Sequence, residues 1–272
     1  MVRSLWTGAT GMNAQQTNVD TIANNLANVN TNGYKAQEAE FKTLLYQSLQ
    51  TKTTTANGDR KPITSQVGLG TRVASINSVF SQGALLDAES DTAFAIEGDG
   101  FFAVRCGDGQ TRYTRNGDFN WSLGTGNTIV LCSSDGYPVL DEAGKPISLA
   151  NTYIVNRITV DSSGSLLYPD ANGVPQRLGI TIGKYQFQNP AGMERYGDTL
   201  FSATPSSGAA INEATSNAVQ KSRVVQGYLE GSNVSVADEM VDLIVAQRAY
   251  EMNSKVITTT DSMMETANNL KR

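Results

Sequence analysis

Residues 4–32 read SLWTGATGMNAQQTNVDTIANNLANVNTN, and residues 235–270 read SVADEMVDLIVAQRAYEMNSKVITTTDSMMETANNL. Both carry apolar residues at a seven-residue interval. In the first, Leu5, Met12, Val19 and Leu26 form one line. Gly8, Gln15, Ile22 and Val29 form a second, which turns apolar in its later half. Together they make an a/d stripe, the pattern of a coiled-coil seam. Asn30-Thr31-Asn32-Gly33 supplies the helix stop, with Gly33 suited to a left-handed cap. In the second stretch Val236, Leu243, Tyr250, Ile257 and Met264 recur every seven residues, and Met240 and Ile244 widen the stripe. Ser235 with Asp238 three residues on reads as a capping box. Glu251 and Lys255 are spaced as an i,i+4 ion pair, and Lys271 and Arg272 complement the carbonyl end of the helix. At 1.5 Å per residue the two helices would run about 43 Å and about 54 Å.

The stripe of the first stretch is good, but its intrinsic helix propensity is poor. Gly8, Thr10, Gly11, Asn13, Thr17, Asn18, Val19, Thr21, Ile22, Asn24, Asn25 and Asn28 are middling or bad helix formers. Their summed cost is on the order of 6–8 kcal/mol relative to alanine. Such a helix is held by packing of its stripe rather than by its own backbone. The C-terminal stripe is the partner within the chain. A two-helix pair still leaves apolar edge exposed. Neighbouring copies could cover it, or the pair could dock as a stalk on the chain's own central domain; the residues alone leave both open.

Between the ends the texture changes. FAIEGDGFFAV (94–104), RYTRNGDFNW (112–121), TIVLCSSDGYPVL (128–140) and GITIGKYQF (179–187) are short apolar and aromatic runs. Asp108-Gly109, Asn116-Gly117, Asp135-Gly136 and Asn172-Gly173 are turn dipeptides. Short strands at this spacing predict an all-β domain. The fold class expected is α+β, with long N- and C-terminal helices forming a coiled-coil-like pair, and a central all-β domain. Segment boundaries fall at 1–46 (helical), 47–72 (an extended, Thr-rich linker), 73–225 (all-β) and 226–272 (helical).

The net charge is −5, and no basic run or basic-aromatic stripe occurs, which argues against nucleic-acid binding. Charged residues make up only 17%, against ~25% in ordinary domains, so repulsion between copies is low. No stretch reaches the ~18–20 apolar residues of a membrane span. The start, MVRSLWTGATGMNAQQ, lacks the apolar run of a cleaved secretory signal. Cys106 and Cys132 could pair, or remain as thiols; neither has metal-ligand spacing. The chain contains no histidine, which removes every His-based triad, metal site and acid–base mechanism. Asp87, Glu89, Asp91 and Glu97 sit where solvated acids are ordinary. Gly98-Asp99-Gly100 reads as a β-turn, since a phosphate loop would need a following helix and Lys. No catalytic, cofactor or metal residue is expected, and the chain is not read as an enzyme.

NVDTIANNLANVNTNGYKAQEAEFKTLLYQ (18–47) and QGYLEGSNVSVADEMVDLIVAQRAYEMNSKVITTTDSM (226–263) closely resemble the terminal signatures of bacterial flagellar rod and hook proteins. SQGALLDAESDTAFAIEGDGFFAV (81–104) resembles that family's entry into its β domain. The length resembles the distal-rod type rather than the hook type, and residues 47–72 look like the segment that distinguishes the former. The resemblance implies a structural subunit of a helical tube that spans the periplasm and carries torque from motor to hook. It implies export through the flagellar type III channel without a cleaved signal. Its implied partners are copies of itself, the proximal rod, the axial proteins on the hook and hook-cap side, the periplasmic and outer-membrane rings and the export apparatus. No nucleic acid, membrane insertion or cofactor is implied. The self-assembly interface expected is Leu5, Met12, Val19, Ile22, Leu26, Val29, Val236, Met240, Leu243, Ile244, Tyr250, Ile257 and Met264. A proximal-rod or hook subunit, or a secreted β-domain adhesin with a helical stalk, are the alternatives.

Overall fold

The computed structural model describes residues 3–50, 65–124, 126–170, 173–197, 199–216 and 219–270. Contacts group the chain into two compact units. One comprises Met1–Ala27, Gln37–Asn77 and Ser235–Arg272; the other comprises Asn28–Ala36 and Ser78–Val234.

The first unit holds both long helices, α1 (Arg3–Ala27) and α2 (Val236–Asn269), packed on one another. The residues that weaken α1 as an isolated helix are those that let it approach α2. Gly8, Gly11, Ala14, Thr21, Ile22 and Asn25 are its buried positions. A Cβ on Gly8 would lie 3.0 Å from Ile257 Cγ1, and one on Gly11 would lie 2.8 Å from Asn253 Nδ2. The threonine hydroxyls are satisfied within the helices: Thr21 donates to Thr17 O at 2.8 Å, and Thr260 to Val256 O at 2.7 Å. Helix α1 ends at Ala27, earlier than the stop motif; Gly33, at φ +69°, closes a turn beyond it. Ser235 is the N-cap of α2 in extended conformation, but its side chain makes no capping bond, so the capping box does not form. Asp238 in the first turn complements the helix dipole instead. The ion pair on α2 is Arg248–Glu251 at 2.8 Å rather than Glu251–Lys255. Lys271 and Arg272 lie outside the described residues.

Strand β1 (Gln37–Thr43) pairs with β4 (Thr71–Ser78), and β2 (Tyr46–Gln50) pairs antiparallel with β3 (Ser65–Gly68), Tyr46 opposite Gly68. The described ends of the expected 47–72 linker are therefore strands; 51–64 lie outside the described residues. Glu40 ties β1 to β4 by accepting from Ser75 Oγ at 3.1 Å and Asn77 Nδ2 at 3.0 Å.

The second unit is all β. Its strands are β5 (Leu85–Asp87), β6 (Phe94–Glu97), β7 (Phe101–Arg105), β8 (Thr111–Thr114), β9 (Phe119–Leu123), β10 (Thr128–Ser133), β11 (Ser148–Ala150), β12 (Thr159–Val160), β13 (Ser165–Pro169), β14 (Pro175–Thr181), β15 (Lys184–Gln186), β16 (Glu194–Gly197), β17 (Leu200–Ser202), β18 (Ile211–Asn212), β19 (Arg223–Gln226) and β20 (Tyr228–Glu230). A six-stranded sheet runs β16-β17-β8-β7-β15-β18. Smaller sheets are β11-β10-β9, β12-β13-β14, β19-β6 and β20-β5. The run GFFAV makes β7 a strand buried on both faces. Phe102 and Val104 enter a core with Phe119, Leu131, Val139 and Ile182, while Phe101 and Ala103 enter a second with Tyr113, Phe187 and Phe201. Gly98-Asp99-Gly100 links strands of two different sheets, so it is a crossing bend and not a hairpin turn. Gly117 does not need a positive φ. Its lack of a side chain serves close approach, because a Cβ would lie 1.6 Å from Phe94 O. Cys106 and Cys132 are buried free thiols, and burial raises the Cys132 thiol above its ordinary range.

Candidate assembly surface

Helix α2 carries two faces with different chemistry. The face toward α1 steps by four and three residues through Glu239, Leu243, Ala246, Tyr250, Asn253, Ile257, Thr260 and Met264. Ala246 and Thr260 are buried there, and most of the rest are half-buried. The buried polar group of this unit is organised by Asn25. Its amide donates to Gln37 O and accepts from Gln37 N, each at 2.8 Å, and also donates to Glu239 Oε1 at 2.9 Å. One side chain thus joins α1, β1 and α2. Burial raises the Glu239 carboxyl above the usual range; the Asn25 bond opposes this, and Asp242 and Asp238 add to it.

The second face of α2 is apolar and uncovered. Val241, Val245, Met252, Val256 and Met263 are 46–64% exposed. They repeat at eleven residues, 241 to 252 to 263 and 245 to 256. At ~100° per residue, eleven residues close three turns within ~20°, so this stripe runs nearly along the axis. It lies roughly 110° around the helix from the face that meets α1. Val236, Met240 and Ile244 add exposed apolar area at the start of α2. A groove of about 380 Å³ runs between the helices, lined by Gln16, Val19, Gln247, Tyr250 and Glu251.

The expected interface residues fall into three groups. Ile22 is buried in the helix pair. Leu5, Met12, Val19, Leu26, Leu243, Ile257 and Met264 are half-buried in the first unit, and Val29 is half-buried in the second. Val236, Met240, Ile244 and Tyr250 are exposed. The large apolar line of α1 therefore flanks the closest contact, which small residues make. The heptad count missed Val241, Val245, Met252, Val256 and Met263. Their eleven-residue repeat is present in the sequence but is invisible to a search for sevens. No helix among the described residues is long and apolar enough to cross a membrane.

Three family descriptions match the chain. "Flagella basal body rod protein" matches residues 5–35, spanning α1 and the turn after it. "Flagellar hook protein FlgE/F/G D1 domain" matches 95–168, and "Flagellar basal body rod FlgEFG protein C-terminal" matches 225–270, which contains α2. The chain is 45% identical to the flagellar basal-body rod protein FlgG of Borreliella burgdorferi over the whole of both chains. The belonging is decided there. This chain is a member of the flagellar basal-body rod protein family. It is also 41% identical to the FlgG of Agrobacterium fabrum over 96% of this chain and 97% of that one. With the FlgG of Bacillus subtilis the identity is 35% over all of both. The role of this rod-family chain is structural, as a subunit of the basal-body rod.

Proposed function

We propose that the chain is the distal-rod subunit, which assembles through its terminal helices into a rigid helical tube. The tube transmits motor torque to the hook and encloses the export channel. The observation that carries this reading is the apolar stripe of α2, which stands exposed among the described residues. Exposed apolar area of this extent and order marks an interaction surface. The low charge density of the chain removes an obstacle to stacking many copies. The four-three stepping on the other face of α2 supports a coiled-coil-like pairing with α1. In this reading α1 and α2, within segments 1–46 and 226–272, are the assembly elements, 47–72 contact neighbouring subunits and stiffen the rod, and the β unit forms the outer wall. The rod would cross the periplasm, with the proximal rod on one side, hook-side axial proteins on the other and ring proteins around it. The subunit would leave through the flagellar export apparatus without a cleaved signal, and it has no catalytic role.

The test is assembly. Purified protein should form tubes at high concentration, seen by electron microscopy. Val245→Asp with Met252→Asp should abolish them while circular dichroism retains the signal of both units. Tubes of normal length from the double variant would overturn the proposal. The distal placement is tested separately, by labelled subunits in isolated basal bodies: label at the motor-proximal end would assign the chain to the proximal rod instead.

A further inference from the structure

The second unit buries three ionised side chains that come from distant parts of the chain. Lys35 Nζ lies 2.6 Å from Glu230 Oε1, and Arg115 Nη1 lies 3.1 Å from Glu230 Oε2. All three are almost entirely buried. Lys35 also donates to Ser81 O at 2.6 Å, and Arg115 Nη2 donates to Gly98 O at 2.6 Å. Glu230 is the carboxylate that answers both cations. It accepts from Gly83 N at 3.0 Å as well, and its carbonyl accepts from Gly33 N at 2.7 Å. Gly33 and Gly83 are both needed without side chains: a Cβ on the first would lie 2.4 Å from Asn116 N, and on the second 2.1 Å from Gly231 O.

The sequence order of these groups matters. Lys35 precedes Glu230 by 195 residues and Arg115 precedes it by 115. Any process that delivers the chain N-terminus first supplies both cations long before their anion. The core waits on the same region. β6, which contributes Phe94 and Ile96 to the larger core, pairs with β19 in register from Phe94–Gln226 to Glu97–Arg223, and Val224 of β19 is buried in that core. Just upstream, Glu213 accepts from Ser222 N at 2.9 Å, Ser222 Oγ at 2.7 Å and Gln186 Nε2 at 2.7 Å, which holds that late segment in place.

We infer that Glu230 is a charge key that keeps the β unit open until the C-terminal part of the chain has arrived. Without it, closure buries Lys35 and Arg115 side by side with no counter-charge, and removing one partner of a buried ion group is strongly destabilising. The device goes beyond assembly and concerns the single chain. It leaves an incomplete chain unfolded in the region that forms the β unit, and that region locks once residues 223–230 dock. Burial lowers the Lys35 ammonium below its ordinary range, the Glu230 carboxylate beside it opposes that shift, and the neighbouring Arg115 adds to it.

The test uses the full chain at concentrations below assembly, with Trp6→Phe to leave Trp121, packed against the larger core, as reporter. Stopped-flow refolding from urea is compared for the parent, Glu230→Gln, and the triple variant Lys35→Met, Arg115→Met, Glu230→Met. A key that must dock before closure predicts refolding of Glu230→Gln slowed by about 100-fold, with unfolding little changed. The triple variant, having no charge to answer, refolds within about tenfold of the parent. Refolding of Glu230→Gln at the parent rate with faster unfolding would show that Glu230 docks after closure and overturn the inference. If Glu230→Gln does not fold at all, the triple variant decides: recovery supports the key, and failure of the triple variant overturns it.

Discussion

Glu239 shows how one residue carries two loads. It receives the Asn25 amide at 2.9 Å, so it helps to join the helices, yet its charge is partly taken out of water among other acids. Its folded-state carboxyl titrates above its unfolded one. The corresponding stability is complete below the ordinary glutamate range, roughly pH 4.3, and is lost as pH rises through the raised value. Glu239→Gln keeps an oxygen for Asn25 and removes the charge. It should raise the urea midpoint of the helical signal at pH 7 and leave it unchanged at pH 3.5. A lower midpoint at pH 7 would mean that the ionised carboxylate, not the hydrogen bond, holds the joint. Asn25 also shows why residue-scale reading of sequence falls short. Taken by propensity it is a poor helix former, and nothing local announces that its amide will take both backbone bonds of Gln37.

At the scale of elements, the seam of α1 reverses an inference drawn from propensity. Gly11 costs an isolated helix about 1 kcal/mol relative to alanine. In the pair it is the position where Asn253 comes closest. Gly11→Leu should therefore lower stability by about 1–3 kcal/mol through overpacking, although it improves the helix alone. Asn253→Ala in the same chain should recover part of the loss. Thermal melts at 222 nm check this, and a rise in midpoint for Gly11→Leu would refute it. Both helices, the β texture of the middle and the family were legible, because periodicity and turn dipeptides are local signals. The closest-contact line was not, because a search for large apolar residues passes over glycine and alanine. The capping box at Ser235 and the Glu251–Lys255 pair were spaced correctly but unformed: Ser235 makes no side-chain cap, and Arg248 takes Glu251. The β sheet order was equally out of reach, since β6–β19 and β5–β20 join residues more than a hundred positions apart.

At the scale of the whole molecule, the two units should answer differently to protein concentration. The apolar stripe of α2 is the only large ordered apolar face described on that helix away from α1, and it includes Val241, Val245 and Met263. Anything that binds the folded form and not the unfolded one raises stability by mass action, and in a self-assembling chain that ligand is another copy. The interface proposed involves the helical unit, whereas the β unit has its own two cores and its own buried ion group. The helical signal at 222 nm should therefore melt at a temperature that climbs with concentration. In a Trp6→Phe background, Trp121 fluorescence, reporting the β unit, should melt at one temperature throughout. A thousandfold rise in free subunit above its dissociation constant corresponds to about 4 kcal/mol, enough to move the helical transition by many degrees. Val245→Asp with Met252→Asp should flatten the helical dependence and leave the Trp121 transition where it was. If both signals instead climbed together and the double variant left both unchanged, copies would be meeting through the β unit, and the stripe on α2 would need another occupant.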